Sequence, residues 1–232
     1  MTHPIIESFQ GGLIVSCQAL EGEPFYGSEY MARFAISAEM GHAVGIRANT
    51  PSDIRAIKRV TKLPVIGLWK REYAGYDVYI TPTWEEVEGV IAAGADIVAM
   101  DATPRDRPDG MRLKTVVEKA KQAYPEVLLM ADVSTVEEGV AAEKLGFDLI
   151  STTLSGYTPY SPQSKEPDFQ LIAKLSRSVS LPVLGEGRIH SPEQAVRCLL
   201  EGAYSVVIGG AITRPDTITR KYTEAMAHFV HG

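Results

Sequence analysis

Eight short runs of apolar and β-branched residues recur along the chain, separated by longer amphipathic segments. They are Gly12–Leu20, Ala43–Asn49, Pro64–Lys70, Asp96–Thr103, Val127–Val133, Leu149–Thr153, Pro182–Arg188 and Ser205–Ile212. Most are nearly continuous, as in IVAMDAT and VLLMADV. A strand with one wet face alternates apolar and polar residues, whereas one buried on both faces does not, as in a parallel sheet covered by helices. The pattern predicts eight parallel strands, each followed by a helix.

The segments between the runs carry helix-start signals. Thr50-Pro51-Ser52-Asp53 sets a threonine cap before a proline at the first helical position, and Ser191-Pro192-Glu193-Gln194 does the same with serine. Thr83-Trp84-Glu85-Glu86 and Ser134-Thr135-Val136-Glu137 read as capping boxes. In each, a hydroxyl satisfies a free amide of the first turn, and an acidic side chain reaches back to the cap. Glycines such as Gly41, Gly94, Gly146 and Gly202 stop helices just before the next strand.

The units also resemble one another. Leu63-Pro64-Val65-Ile66-Gly67 matches Leu181-Pro182-Val183-Leu184-Gly185, and GADIVAM matches GAYSVVI. The third run thus matches the seventh, and the fourth the eighth, the displacement a duplicated half-barrel leaves. These features predict a single (β/α)8 TIM barrel spanning residues 1–232. An open doubly wound sheet of eight strands stays as the alternative, because alternation alone does not close a barrel.

Bulk properties exclude several classes. The chain has 232 residues, 45% of them hydrophobic and 22% charged, enough to bury a full core without staples. A net charge of −6 disfavours a nucleic-acid or anionic-membrane surface, yet leaves room for a phosphate in a local pocket. No stretch approaches the ~18 to 20 apolar residues of a membrane span, and MTHPIIESFQGG lacks the features of a signal peptide. A cytoplasmic location follows as the expectation. Cys17 and Cys198 are expected to be reduced thiols.

In a (β/α)8 barrel the active site lies at the C-terminal strand ends. Those ends supply Gln18, Arg47 and Asn49, Lys70, Asp101, Asp132, Thr152 and Thr153, Glu186 and Arg188, and Gly209 and Gly210. A single strand-end charge merely marks the edge of a core; a polar residue on nearly every strand points to a site. Gly185-Glu186-Gly187-Arg188 and Gly209-Gly210-Ala211 end the last two strands, where such barrels commonly bind phosphate through free amides. Arg214 can add a charged fork to that anion. Lys70 and Glu186 are the candidates for proton transfer. Burial and a neighbouring cation such as Arg47 would lower the proton affinity of Lys70 toward neutral pH. The five histidines, His3, His42, His190, His228 and His231, form no ligand-spaced set, so neither a metal nor another cofactor is expected. Two long connections, 71–82 with Tyr73, Tyr76 and Tyr79, and 154–167, can cover a bound sugar.

Taken together, SCQAL (Ser16–Leu20), GIRAN (Gly45–Asn49), PVIGLWKR (Pro64–Arg71), DIVAMDAT (Asp96–Thr103), MADVST (Met130–Thr135), TTLSGYT (Thr152–Thr158), GEGRIHSPEQA (Gly185–Ala195) and VVIGGAITRP (Val206–Pro215) resemble the N-acetylmannosamine-6-phosphate 2-epimerase family. The similarity extends from about Gly12 to about Val230. It implies a phosphate-binding barrel of the ribulose-phosphate-binding type that interconverts N-acetylmannosamine 6-phosphate and N-acetylglucosamine 6-phosphate in sialic acid catabolism, without a cofactor. It places the catalytic pair on Lys70 and Glu186 and sugar contacts on Gln18, Arg47 and Asp132; Thr152 at the sixth strand end and Tyr157 on the 154–167 connection are expected to add further sugar contacts. It places phosphate contacts on Gly209, Gly210 and Arg214; Gly187 and Arg188, at the end of the seventh run, are expected to join them. Trp69 departs from the pattern, where a smaller aliphatic residue is expected. The implied chemistry removes the C2 proton of the open-chain sugar, passes through an enediolate and returns a proton to the other face, with one base or two. A Schiff-base lyase on Lys70 and a non-catalytic phosphosugar-binding protein stay open as alternatives. A homodimer is the default assembly.

Overall fold

The structure, a computed structural model, describes residues 3–231. Met1, Thr2 and Gly232, and the side chains of His228, Val230 and His231, lie outside the described residues.

All eight runs contain strands: β1 (Leu13–Cys17), β2 (Gly45–Asn49), β3 (Val65–Leu68), β4 (Ile97–Asp101), β5 (Leu128–Asp132), β6 (Leu149–Ser151), β7 (Val183–Glu186) and β8 (Ser205–Ile208). They pair in parallel in chain order, and β8 pairs back onto β1, with Leu13 opposite Val206 and Val15 opposite Ile208. That closure excludes the open sheet. It also sets the matching units β3 and β7, and β4 and β8, on opposite sides of the ring. The last run ends early as a strand because Gly209, at φ −108° and ψ −95°, turns the chain into a short helix.

The helices are α1 (Pro4–Ser8), α2 (Ser28–Met40), α3 (Pro51–Lys58), α4 (Trp84–Ala92), α5 (Leu113–Ala123), α6 (Val136–Leu145), α7 (Phe169–Ser178), α8 (Pro192–Leu200), α9 (Gly210–Thr213) and α10 (Pro215–His231). The caps on α3 and α8 form as expected. Thr50 Oγ1 accepts from the Asp53 amide at 3.2 Å, and Ser191 Oγ from the Gln194 amide at 3.3 Å. On α4 the Glu86 carboxylate accepts the Thr83 amide at 2.8 Å. The box on α6 sits one residue later than the sequence suggested. Thr135 is the cap, and Glu138 rather than Glu137 stands three residues on, where its carboxylate reaches back to the Thr135 amide at 3.1 Å.

Two apolar layers build the barrel. Val15, Ile46, Val98, Met100, Leu129 and Ile150 point outward and pack under the helices. Ile14, Ile66, Ile97, Met130, Leu149 and Leu184 point inward and fill the barrel. Phe9, just after α1, plugs the N-terminal end. It is fully buried beneath Gly45, where an added Cβ would meet its ring at 2.7 Å. With that end stoppered, polar groups inside the ring can reach solvent only through the C-terminal mouth. Trp69 is accommodated by glycine on the adjoining helix, since a Cβ on Gly89 of α4 would meet the indole at 2.8 Å.

Candidate active site

The inward-facing register that begins with apolar residues ends in polar ones at the C-terminal mouth. Following it along each strand gives Ser16, Arg47 and Asn49, Lys70, Asp101, Asp132, Ser151 and Thr153, and Glu186. Arg47, fully buried, is the centre of the cluster. Its guanidinium forks onto Asp132, at 3.1 Å to Oδ1 and 2.6 Å to Oδ2, and also donates to Glu186 Oε2. Thr153 Oγ1 donates to Asp132 Oδ1 at 2.7 Å and lies 3.0 Å from Glu186 Oε2. Ser151 adds a bond to Glu186 at 3.2 Å. A buried ion pair survives desolvation only when its remaining lone pairs are also satisfied, and these hydroxyls supply that.

Proton affinities follow from this packing. Burial raises the Glu186 carboxyl above the usual carboxylate range; Arg47 opposes the shift and Asp132 reinforces it. Burial, and then Arg47, lowers Lys70 to about 8, against the pull of Glu186 and Asp132. Among the described residues, Lys70 makes no ion pair within 4.0 Å. The site therefore holds a lysine that exchanges a proton near neutral pH, beside a carboxylate held by an arginine.

Gln18 lies at the mouth, with Nε2 donating to Ser16 Oγ at 3.0 Å and Oε1 buried without a donor. Gly187 (φ +110°), Gly209 and Gly210 line the β7 and β8 ends, and the first amides of α9 have no intrahelical acceptor. Arg214 adjoins them, since a Cβ on Gly210 would lie 3.5 Å from its Cδ; it pairs with Glu23 at 2.8 Å, and its Nε is buried without an acceptor. Tyr157 stands on the 154–167 connection, 58% exposed.

Two positions are engaged elsewhere. Thr152, expected to touch the sugar, faces the other way from Thr153: its hydroxyl accepts the Glu186 amide at 3.0 Å and donates to the Glu186 carbonyl at 2.9 Å. Arg188, expected on the phosphate, adopts φ +59° and turns its guanidinium onto the 154–167 connection. There it donates to the carbonyls of Ser155 and of Glu166, the latter at 2.9 Å. Its local charge made it a natural phosphate ligand in sequence, but the two carbonyls take its donors.

Ser151 is a site residue that the strand-end reading does not include; Thr153 enters there only alongside Thr152, and Tyr79 only as one of the covering tyrosines of the 71–82 connection. Thr153 differs from Thr152 only in strand parity, which a continuous apolar run does not reveal. Tyr79 packs against the inner core, and burial, then Asp132, pushes its phenol to about 12, so it stays a neutral donor. Asp101 is occupied by Thr103 and Arg105. Among the described residues, no three His, Cys, Asp or Glu are grouped as a metal would require.

The closed barrel and its polar mouth define a (β/α)8-barrel protein with a buried cluster of ionisable side chains at the C-terminal strand ends. Residues 31–228 match the family described as "Putative N-acetylmannosamine-6-phosphate epimerase". The chain belongs to that family. It is 57% identical over 222 residues to a putative N-acetylmannosamine-6-phosphate 2-epimerase of Caldanaerobacter subterraneus, covering 96% of this chain and 94% of the relative. It is 51% identical to the protein of that name from Clostridium perfringens, covering 96% and 100%. The structure of the N-acetylmannosamine-6-phosphate 2-epimerase from Clostridium perfringens superposes with a TM-score of 0.93 at 49% identity, covering 97% of each chain. The thiamine phosphate pyrophosphorylase from Pyrococcus furiosus shares the fold alone, with a TM-score of 0.62 at 18% identity and coverage of 90% and 89%.

Proposed function

We propose that this enzyme inverts C2 of an N-acetylhexosamine 6-phosphate, interconverting N-acetylmannosamine 6-phosphate and N-acetylglucosamine 6-phosphate in sialic acid and amino-sugar catabolism. It is an isomerase, as its relatives' names indicate. The observation that carries the chemistry is a desolvated lysine, Lys70, sharing the barrel mouth with Glu186, whose carboxylate Arg47 holds.

The C2 hydrogen becomes acidic once the sugar opens and C1 is an aldehyde. In our reading neutral Lys70 takes that proton. The C–H electron pair becomes the C1–C2 double bond, and the carbonyl pair moves onto the C1 oxygen. Because C2 carries nitrogen, the anion is an enolate rather than the enediolate expected above. Arg47, oriented by Asp132, supplies positive charge to the C1 oxygen, and its Nε is buried without an acceptor. A proton then returns to the opposite face of C2. In a two-base mechanism it comes from Glu186, which burial favours in its protonated form and which is left as the carboxylate on Arg47; in a one-base mechanism it comes from Lys70 after the intermediate turns. Gln18 Oε1 offers an acceptor and the Tyr79 phenol a donor to the sugar and its acetamido group, Thr153 holds Asp132 in place, and Tyr157 covers the sugar. The phosphate sits on the amides of Gly187, Gly209 and Gly210, with Arg214 exchanging Glu23 for it. Thr152 and Arg188 act one step removed, on the Glu186 backbone and on the loop. No cofactor enters this scheme.

The test is proton NMR of N-acetylmannosamine 6-phosphate with the enzyme in D2O. Loss of the C2 proton signal together with appearance of the epimer is expected; binding with neither would overturn the reading.

A cytoplasmic homodimer belongs to the same proposal. No helix among the described residues is long and apolar enough to cross a membrane. Tyr222, Met226 and Phe229 share one face of α10 and are 69%, 67% and 90% exposed. A groove of about 420 Å³ lined by Leu13, Ala195, Leu199, Val206, Ile208 and Ile212 lies open where β8 meets β1. A second copy would bury both surfaces. Light scattering should give a dimer mass that Phe229→Asp lowers to a monomer; a monomeric wild type would exclude the dimer.

A further inference from the structure

The 71–82 connection does more than arch over the mouth. It returns antiparallel to the end of β3. The amides of Arg71 and Thr81 donate to the carbonyls of Tyr79 and Trp69 at 3.0 and 2.9 Å, and the Asp101 amide donates to Ile80 at 3.0 Å. Ile80 and Thr81 thereby enter the ring between β3 and β4. Direct pairing of those two strands stops at Gly67 and Val98, while β4 and β5 stay paired as far as Asp101 and Asp132.

Thr81 occupies the point of the wedge. It is fully buried, and its hydroxyl takes the place of a strand-to-strand bond. Oγ1 accepts the Trp69 amide at 3.2 Å and donates to the Ala99 carbonyl at 2.6 Å. Its φ is +47°, a left-handed conformation that a β-branched residue adopts only when its surroundings impose it. Arg107 supplies that restraint. Its buried guanidinium bonds no carboxylate among the described residues and donates instead to main-chain carbonyls: Thr81 at 3.3 Å, Pro82 at 3.0 Å, and Asp101. Between these anchors lies Lys70, whose own amide donates to the buried Asn49 Oδ1 at 2.8 Å. The amides of residues 69, 70 and 71 are thus each fixed from outside β3. Across the ring, Thr152 pins the backbone of Glu186 through the same hydroxyl chemistry.

We propose that Thr81 is a positioning residue for Lys70: its hydroxyl, wedged between β3 and β4, fixes the backbone from which the lysine projects into the site. The proposal rests on the reading of Lys70 as the proton-transfer group. A proton-transfer group works only near its attack geometry, and a displacement of about 1 Å costs about 100-fold in rate. The wedge also sets the distances from Lys70 to the charges around it, Arg47, Glu186, Asp132 and Arg214.

Three variants separate the hydroxyl from the strain. Thr81→Ser keeps the hydroxyl. Thr81→Val keeps the shape and leaves the Trp69 amide and the Ala99 carbonyl unpaired. Thr81→Gly adopts φ +47° without strain and carries neither feature. The Val and Gly variants should lose roughly 10- to 100-fold in kcat with KM changed by less than about threefold, while Ser stays within about threefold of wild type. In Val and Gly the acid limb of the kcat profile should also move up, because rehydration of Lys70, or closer approach to Glu186 and Asp132, raises its proton affinity. A purely structural role would lower the melting temperature and leave kcat per folded molecule and the acid limb unchanged; that result overturns the proposal. If Thr81→Val does not fold, the Gly and Ser pair decides. Lys70→Ala, assayed alongside, separates the two failures. An active Lys70→Ala would sink the reading of Lys70, whereas an inactive one beside a fully active Thr81→Gly would sink the positioning role alone.

Discussion

A lysine held at about 8 should be visible in both rate and stability. At pH 7 about one Lys70 in ten is neutral, against about one in three thousand for a lysine at its ordinary 10.5, a gain of about 300-fold in competent base. The kcat profile should therefore rise about tenfold per pH unit up to about 8 and then level off. The substrate phosphate titrates near 6, so the rise between about 7 and 8 belongs to the enzyme. The same shift acts on stability with a definite sign. Between about 8 and 10.5 the unfolded chain binds a proton at Lys70 that the folded chain does not, so stability rises with pH across that window. Below about 8 both states are protonated, and the fold carries the whole cost, up to about 3 kcal/mol. Lys70→Met should thus be inactive yet more stable than wild type at pH 7 by up to about 3 kcal/mol, with the advantage fading toward pH 10.5. Initial rates by NMR from pH 6 to 10, and urea unfolding at pH 7 and 10, make the two measurements. A flat rate profile between pH 6 and 9, or a methionine variant less stable than wild type at pH 7, would refute the reasoning.

Three further outcomes follow from the site. Glu186→Gln should lower kcat by roughly 100-fold or more while substrate still binds. It should also shift the acid limb downward, because Glu186 is one of the charges raising Lys70; an upward shift or a wild-type rate would contradict the arrangement. Arg214→Ala should weaken the phosphorylated sugar about tenfold and leave unphosphorylated N-acetylmannosamine nearly unaffected, as titration calorimetry can measure; equal losses would give Arg214 another task. Prolonged dialysis against EDTA should leave the epimerisation rate unchanged in metal-free buffer; activity restored only by Zn²⁺, Mg²⁺ or Mn²⁺ would recast Asp101, Asp132 and Glu186 as ligands.

The architecture was legible because strand and helix signals are local. Continuous apolar runs such as IVAMD, hydroxyl caps such as Thr50 and Ser191, and glycine stops all act within a few residues of one another. Polar residues at the ends of buried strands were legible for a related reason: Arg47, Lys70, Asp132 and Glu186 break apolar runs, and a barrel fold brings strand ends together. Other features depended on tertiary structure. Ring closure rests on β8 pairing with β1, nearly two hundred residues away in sequence, and no local signal encodes it. A run buried on both faces does not declare which parity points inward, so Thr153 faces Arg47 while its neighbour Thr152 is tied to the Glu186 backbone. Arg188 shows the same limit. Its charge is written in the sequence, but the Ser155 and Glu166 carbonyls that claim it arrive from a different connection. Thr81 looks like an ordinary loop residue until the fold inserts it between two strands. Composition and spacing determined which groups the barrel could offer; long-range packing decided where each one points, because a side chain's direction depends on neighbours that the chain supplies from far away.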